Sequence, residues 1–107
     1  MESVAILGAT GSIGKSSLDV ISRYPDRFTV YAVTANSSVK KLAQAAKDSG
    51  AKVAVIADKE LLGALQDELK AAGSRAQALA GAKAIDEIAS SPEVDIVIGA
   101  IVGAAGI

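Results

Sequence analysis

Short apolar runs alternate along the chain with longer segments in which apolar residues recur at helical spacing. The apolar runs lie at residues 4–7, 28–34, 53–56, 76–80 and 94–98. Each run is too short for an ordinary helix, and such runs are typical of strands buried on both faces of a sheet. The pattern therefore predicts five strands, and the weakly apolar fourth run suits the edge of the sheet.

Four helices are predicted between these strands. The first is expected from Ser12 to about Tyr24, where Pro25 stops it. Residues suited to begin or end the later helices are Ser38 and Asp58 as N-caps and Gly50 and Gly73 as C-terminal glycines. The inward faces are expected to carry Ile13, Leu18, Ile21, Tyr24, Val39, Leu42, Ala43, Ala46, Leu61, Leu62, Leu65, Leu69, Ile85, Ile88 and Ala89.

Alternating strands and helices predict right-handed crossovers, so we expect an α/β domain with a Rossmann-type, doubly wound, mainly parallel sheet and helices on both faces.

Composition narrows the class of protein. The 107 residues are 50% apolar and 21% charged, which suits one folded domain and argues against disorder. Eleven basic and twelve acidic residues leave a net charge of −1, so nucleic acid is not expected as a partner. The absence of cysteine and histidine excludes disulfides, thiolate metal sites and histidine chemistry. With no apolar run of membrane-spanning length and no secretory signal in view, we expect a cytoplasmic protein without membrane partners.

The last eight residues, 100–107, are apolar and small to the end of the chain. Domains usually end in polar surface residues, so we interpret the chain as part of a longer protein. A natural end that docks into a partner is the alternative. On the first interpretation, residues 1–107 are an N-terminal dinucleotide-binding domain that is incomplete at its C-terminus, and the catalytic and C-terminal domains lie outside it.

Candidate chemistry is concentrated in the turn between the first strand and the first helix, whose sequence is GATGSIG. A bound phosphate needs free backbone N–H groups, a helix N-terminus behind them and no obstructing side chain. Gly8 is expected to open the turn, Gly11 to let the backbone approach a pyrophosphate, and Gly14 to let the helix pack closely. Thr10 and Ser12 would add hydroxyl donors. A glycine-rich turn without a ligand is the alternative, but the strand before it and the helix after it favour a nucleotide.

The residues Gly14, Lys15 and Ser16 imitate the end of a P-loop, which would indicate a nucleoside triphosphatase. A P-loop has four residues between its first glycine and the Gly-Lys pair, whereas five residues separate Gly8 from Gly14. Lys15 is therefore expected on the helix surface, paired with Asp19 one turn later. The nucleoside triphosphatase remains an alternative and predicts magnesium-dependent binding of ATP or GTP.

The ends of the second and last strands bear on the choice of dinucleotide. An acid after the second strand would bind the ribose 2′-hydroxyl of NAD and repel the 2′-phosphate of NADP. Asn36, Ser37 and Ser38 include no acid, and Lys40 and Lys41 follow them, which favours NADP. Ordinary turn and capping chemistry would also explain the three polar residues. The small residues after the last strand would admit a flat ring at the ligand-binding edge of the sheet, or would only permit close helix packing.

Three stretches together resemble a known family. They are the GATGSIG turn, its continuation KSSLDVI, and AIVGAAG at residues 100–106. The glycine turn alone occurs in many dehydrogenases, but all three stretches at this separation are similar to the N-terminal part of 1-deoxy-D-xylulose 5-phosphate reductoisomerases. The resemblance covers the whole chain.

The resemblance implies an enzyme of the methylerythritol phosphate route to isoprenoids, a homodimer that depends on NADPH and on a divalent metal, Mg or Mn. Such an enzyme rearranges and reduces its small sugar-phosphate substrate to 2-C-methyl-D-erythritol 4-phosphate. The cofactor-binding residues that it implies are Thr10, Gly11, Ser12 and Ile13 at the pyrophosphate, Asn36, Ser37 and Ser38 at the 2′-phosphate, and Ala100 and Ile101 at the nicotinamide. Catalytic and metal-binding residues of the family lie beyond this chain, so none is assigned here and the chain alone is expected to be inactive.

One departure from the family concerns the 2′-phosphate. Members usually carry a basic residue followed by Asn after the second strand, whereas this chain has Ser37 and Ser38. A charge-assisted contact worth about 1.5 to 3 kcal/mol is thereby lost, so the preference for NADPH is expected to be weaker or to rely on Lys40. A non-catalytic NAD(P)-sensing module, which would share the glycine turn, is a further alternative.

Overall fold

The computed structural model of the chain describes residues 2–9 and 12–99. The strands are β1 (Glu2–Leu7), β2 (Phe28–Ala35), β3 (Val53–Ile56), β4 (Gln77–Ala80) and β5 (Ile96–Gly99). The helices are α1 (Ser12–Ser22), α2 (Val39–Ser49), α3 (Leu62–Ala72) and α4 (Ala82–Ala89), with a 3-10 turn at Lys59–Leu61 before α3. The predicted order of strands and helices is confirmed. In the part of the chain that the structure describes, no helix has the length and apolar character needed to cross a membrane.

The five strands form a parallel sheet in the order β4-β3-β2-β1-β5. The chain moves outward from β1 to β4, then crosses back and places β5 on the other side of β1. This reversal confirms the doubly wound topology and creates a switch point between β1 and β5, where ligands of such sheets bind. The fourth strand lies at the edge of the sheet, as its weakly apolar sequence predicted.

Helices cover both faces of the sheet. On one face α1, α2 and α3 enclose a core in which Ile6, Leu42 and Leu65 are fully buried. On the opposite face the shorter α4 packs through Ile88 into a cluster that contains Ala5. Because successive strand residues point to opposite faces, the neighbours Ala5 and Ile6 belong to different cores. This two-sided burial explains why the strands are continuous apolar runs.

The first helix is shorter than predicted. It ends at Ser22, and the N–H groups of Arg23 and Tyr24 donate to carbonyls three residues back, at 3.1 and 3.0 Å. Pro25 disfavours helical backbone at the residue before it, so the helix cannot extend through Tyr24. The Tyr24 side chain is 46% exposed, and the prediction that it faces the core is wrong.

The start of the third helix also differs from the prediction. Asp58 caps the 3-10 turn, where its Oδ1 accepts a hydrogen bond from the N–H of Glu60 at 3.0 Å, and α3 begins only at Leu62. Leu61 and Leu62 are therefore half-buried, whereas Leu65, one turn further on, is fully buried. A capping residue was correctly predicted at Asp58, but the extra turn displaces the inward face of the helix.

Both predicted C-terminal glycines are confirmed. Gly50 after α2 and Gly73 after α3 have φ of +69° and +78°. Side chains are strained in this left-handed region, whereas glycine adopts it without a steric penalty. The N–H of each glycine donates back to carbonyls of the last helical turn, which satisfies groups that would otherwise lack a partner.

Candidate cofactor-binding site

The glycine turn lies at the switch point of the sheet. Leu7 and Gly99, the last residues of β1 and β5, are paired in the parallel ladder, so the chain leaves both strands side by side. The turn follows β1 directly, and Ala100 and Ile101 follow β5 directly. Ala100 and Ile101 lie outside the described residues.

The first half of the turn is held by β2. Gly8 has φ +76°, in the left-handed region, and this confirms its predicted role of opening the turn. Its N–H donates to Oγ1 of Thr34 at 3.0 Å, and the N–H of Ala9 donates to the Thr34 carbonyl at 2.8 Å. Ala9 is fully buried and Thr34 is 3% exposed. The backbone of residues 8 and 9 is thus fixed against the end of β2.

These two bonds determine which amides remain for a ligand. The N–H groups of Gly8 and Ala9 point at Thr34, so donors for a phosphate must come from later residues of the turn. Ser12 and Ile13 are the first two residues of α1, and N–H groups in a first helical turn have no acceptor within the helix. The positive end of the helix dipole favours an anion at the same place. Thr10 and Gly11, which lie between the two halves, are outside the described residues.

Gly14 lets α1 begin directly beside the turn. A Cβ at this position would overlap the carbonyl oxygen of Gly8 and would lie 2.6 Å from the Ala9 Cα. Real Cβ atoms essentially never come within 3.0 Å of such neighbours, and backbone atoms cannot easily move aside. The predicted close packing at Gly14 is confirmed, but the atoms nearest to it belong to Gly8 and Ala9 of the turn and not to the strand on which the helix was expected to pack.

The loop after β2 presents polar groups at the same edge of the sheet. Asn36 and Ser37 are exposed and Ser38 is half-buried. The loop is joined to the end of β3, because the Asn36 carbonyl accepts from the N–H of Asp58 at 3.2 Å. The carboxylate of Asp58 is engaged by Glu60 in the 3-10 turn. Residues 36–38 themselves include no acid, and Asp58 is the acid that lies beside them.

The prediction that the Ser38 side chain caps α2 is wrong. Ser38 occupies the N-cap position with φ −81° and ψ 76°, but its side chain makes no capping hydrogen bond. The N–H of Val39 instead donates to the Ser37 carbonyl at 2.9 Å, which closes a tight backbone turn. Since the hydroxyl of Ser38 is not used as a cap, it can donate to a ligand.

The predicted pair of Lys15 and Asp19 is also wrong. Asp19 pairs instead with Arg23, one turn later in α1, with 2.9 Å between Oδ2 and the guanidinium nitrogen. Lys15 lines a groove of about 430 Å³ between α1 and α2, together with Ala9 of the turn and Lys41. Each of the two helices therefore contributes one lysine to the groove. On α2 this residue is Lys41, whereas the sequence suggested Lys40 as the lysine near the cofactor.

A second cavity of about 520 Å³ lies between α1 and β5, away from the turn. Apart from Ser16 and Ser17, its lining is apolar and includes Val20, Phe28 and Ile96. A dinucleotide site needs polar groups to orient the phosphates and ribose, and these are found at the switch point. We therefore assign the candidate site to the glycine turn and the β2 loop.

Thr34 is a residue of the candidate site that the sequence does not indicate. The apolar pattern predicts it as the last residue of the second strand and assigns it no role. The signal was present, because a threonine at the end of an otherwise apolar buried strand needs a hydrogen-bond partner. What the sequence could not show is that the partner is the amide of Gly8, which is 26 residues away along the chain.

The acidic residues do not assemble a metal site in the described part of the chain. Among residues 2–9 and 12–99, no group of three or more Asp or Glu side chains is close enough to hold a metal ion. Asp95 and Glu93 serve the fold instead. Oδ2 of Asp95 accepts from the N–H of Ser3 at 2.9 Å, and Glu93 accepts a hydrogen bond from Tyr31. The Glu93 carboxylate raises the pKa of Tyr31, through this hydrogen bond first and then through burial and charge.

The fold and the site define a Rossmann-type nucleotide-binding unit, with a glycine turn that opens a helix at the switch point of a doubly wound sheet. Residues 4–107 match the family model of 1-deoxy-D-xylulose 5-phosphate reductoisomerase. The chain belongs to this family, which confirms the resemblance seen in the sequence. Membership favours a dinucleotide-binding enzyme over the P-loop triphosphatase and the sensing module.

Relatives and solved structures agree with this assignment. The chain is 48% identical over 99% of its length to the 1-deoxy-D-xylulose 5-phosphate reductoisomerase of Cellvibrio japonicus, and 49% identical over 100% to that of a Janthinobacterium species. It covers 27% of each relative. The reductoisomerase of Zymomonas mobilis in complex with NADPH superposes with a TM-score of 0.85 at 51% identity, over 94% of this chain and 26% of that one. A DOX-P reductoisomerase in complex with NADPH, fosmidomycin and magnesium gives 0.88 at 40% identity, over 99% and 26%.

Proposed function

We propose that this chain is the N-terminal NADPH-binding part of an enzyme that converts 1-deoxy-D-xylulose 5-phosphate to 2-C-methyl-D-erythritol 4-phosphate. The observation that carries the proposal is the glycine turn at the β1/β5 switch point, in a chain that belongs to the reductoisomerase family. The chain spans about a quarter of the length of its relatives. Residues 1–107 would therefore be the first portion of the nucleotide-binding domain, followed by catalytic and C-terminal domains.

The cofactor would lie along the C-terminal edge of the sheet. Backbone donors of the turn would bind the pyrophosphate, the loop after β2 would bind the 2′-phosphate, and the segment after β5 would contact the nicotinamide. The residues proposed for these three roles are Thr10, Gly11, Ser12 and Ile13, then Asn36, Ser37 and Ser38, then Ala100 and Ile101. Support comes from the first-turn amides of α1, which have no acceptor within the helix, and from the Ser38 hydroxyl, which makes no capping hydrogen bond. The lack of an acid among residues 36–38 also supports it.

The described residues fit NADPH and do not fit a divalent metal. A bound NADPH supplies a hydride, and this chain's task would be to bind the cofactor and fix its orientation. Metal ligands would come from elsewhere in the protein, because the described acids are dispersed over caps, loops and helix surfaces. We assign no catalytic residue to this chain. The same proposal includes a cytoplasmic homodimer that acts on a small sugar phosphate.

Titration of the full-length protein with nucleotides tests the proposal. Nicotinamide fluorescence follows NADPH and NADH, and calorimetry follows ATP with magnesium. We expect NADPH to bind at least tenfold more tightly than NADH, a difference of about 1.4 kcal/mol. Equal affinity for the two reduced cofactors would overturn the assignment of the β2 loop to the 2′-phosphate. Binding of ATP alone would overturn the proposal as a whole.

A gain-of-charge variant sharpens the test of the 2′-phosphate site. Ser37→Arg restores the basic residue that family members usually have at this exposed position, and it adds a charge-assisted contact. We expect about tenfold tighter NADPH binding with unchanged NADH binding. Gln66→Arg is the matched control, because it adds the same charge at an exposed position on α3, away from the turn. Equal gains in both variants would indicate a general charge effect and no site at Ser37.

A further inference from the structure

Thr34 connects the two halves of the proposed cofactor site. It is the buried polar residue of the part of the chain that the structure describes, at 3% exposure. Its side chain and its carbonyl accept from the consecutive amides of Gly8 and Ala9, at 3.0 and 2.8 Å. Asn36, the first residue of the loop proposed for the 2′-phosphate, follows two positions later.

The two hydrogen bonds make different demands on the sequence. The Ala9 bond uses a backbone carbonyl, which any residue at position 34 would supply. The Gly8 bond uses the side-chain oxygen of Thr34, which an apolar residue at this position would not supply. The β1–β2 register is recorded up to the pair Ile6 and Val33, and Gly8 departs from strand geometry with φ +76°. The Thr34 hydroxyl thus supplies an acceptor where the regular ladder has ended.

We infer that Thr34 is a positioning residue for the cofactor pyrophosphate. It does not touch the cofactor; its hydroxyl fixes the Gly8 amide and thereby sets how the chain leaves β1 toward the phosphate-binding turn. The inference rests on the proposed function, since it concerns the same site. It assigns to a strand residue a role that neither the glycine pattern nor the loop sequences indicate.

The reason to expect an effect on binding lies in the flexibility of glycine. Without this acceptor the part-buried Gly8 amide would lose its partner, and the backbone at Gly8 would rotate to pair it elsewhere. Glycine permits such a rotation without steric cost. Hydrogen bonds weaken steeply with misalignment, so a rotated turn would present poorly directed donors to the pyrophosphate.

Three variants of the full-length protein test the inference. Thr34→Val keeps the shape and removes the acceptor, whereas Thr34→Ser keeps the acceptor and removes a methyl group. Thr29→Val is the matched control, because Thr29 is a half-buried threonine near the start of the same strand, opposite Ser3. Binding is measured with NADPH and with adenosine 2′-monophosphate, which has the 2′-phosphate but no pyrophosphate.

We expect Thr34→Val to weaken NADPH binding about tenfold, which corresponds to about 1.4 kcal/mol, and to leave adenosine 2′-monophosphate unaffected. Thr34→Ser and Thr29→Val are expected to bind NADPH like the wild-type protein. Three results would overturn the inference: unchanged NADPH binding by Thr34→Val, equal losses for both ligands, or a Thr34→Ser variant as weak as Thr34→Val. An effect limited to folding would lower the amount of active protein without separating the two ligands.

Two additions to the experiment cover a Thr34→Val variant that does not fold and a wild-type protein that does not bind NADPH. If Thr34→Val does not fold, Thr34→Cys takes its place, because a thiol is a weak acceptor. NADPH binding by Thr34→Cys as tight as that by Thr34→Ser would then contradict the inference. If the wild-type protein binds ATP and not NADPH, the proposed function fails, and the same variants measured with ATP still determine whether Thr34 positions the phosphate-binding turn.

Discussion

At the scale of single residues, the site depends on two close approaches of backbone to backbone. Gly14 brings the first turn of α1 against Gly8 and Ala9, and Thr34 holds the same two residues from the other side. Gly8 and Ala9 are therefore held between a helix and a strand before any ligand arrives. A pre-formed site of this kind lowers the ordering cost of binding.

Gly14→Ala is expected to destabilise the protein. The added Cβ would lie 2.6 Å from the Ala9 Cα, and overpacking of this kind typically costs about 1 to 3 kcal/mol in the free energy of unfolding. Gly63→Ala is the matched control, because Gly63 lies in α3 with nothing within 4 Å of its added Cβ. An open helical position gains about 0.5 to 1 kcal/mol from alanine. Urea unfolding measures both variants, and a Gly14→Ala protein as stable as Gly63→Ala would contradict the proposed packing.

At the scale of elements, the sequence predicts the strands better than the ends of the helices. A strand that is buried on both faces has an apolar run that stops where burial stops, as in β3 (Val53–Ile56). Helix ends depend on local competition between hydrogen bonds. The Ser38 hydroxyl loses the cap to a backbone turn, and Asp58 caps a 3-10 turn before α3. The spacing of apolar residues contains no information about these competing hydrogen bonds.

The candidate site also contains some residues whose roles the sequence predicts and others whose roles it does not. Gly8 and Gly14 could be predicted because their roles require the absence of a side chain, which a sequence shows directly. The contribution of Thr34 could not be predicted, because it depends on strand register between distant segments. The choice of Arg23 over Lys15 as partner of Asp19 could have been predicted. An acid four residues before a base is the favoured orientation on a helix, and Lys15 with Asp19 has the reverse order.

The loop before β5 gives a prediction that concerns pH. The Tyr31 phenol on β2 donates to the Glu93 carboxylate, and this bond raises the pKa of Tyr31 above its usual value of about 10. A raised pKa in the folded state means that the bond stabilises the protein below that value. This stability is lost as the pH rises through the pKa of the folded protein.

Absorbance titration of the phenol tests the Tyr31 bond. A Tyr24→Phe background removes the other tyrosine of the chain, which is exposed and outside any helix. Glu93→Gln should then move the Tyr31 midpoint down toward about 10, because it removes the charged acceptor. Glu87→Gln is the control, since Glu87 is an exposed carboxylate on α4. Equal midpoints in the Glu93 and Glu87 variants would rule out the bond.

At the scale of the whole molecule, the ends of the sheet have separate tasks. Asp95 and Glu93 fasten the loop before β5 to β1 and β2. The opposite edge carries the glycine turn, the β2 loop and the exit of β5. These two acids therefore lie at the edge opposite the candidate cofactor site, whereas Asp58 lies beside the β2 loop. Asp95 and Glu93 are thus kept apart from the place proposed for an anionic cofactor.

This arrangement predicts that the 107-residue chain by itself is inactive. It offers donors for the cofactor, but its described acids cannot hold a metal, and it spans about 27% of its relatives. We expect no oxidation of NADPH when 1-deoxy-D-xylulose 5-phosphate and magnesium are added to the chain alone, and steady oxidation with the full-length protein. Absorbance of the reduced nicotinamide measures both, and the Gly14→Ala form of the full-length protein controls for oxidation that does not use the site. Substrate-dependent turnover by the 107 residues alone would show that the chain contains catalytic groups of its own. It would contradict the proposal that this chain binds the cofactor and that the catalytic residues lie elsewhere in the protein.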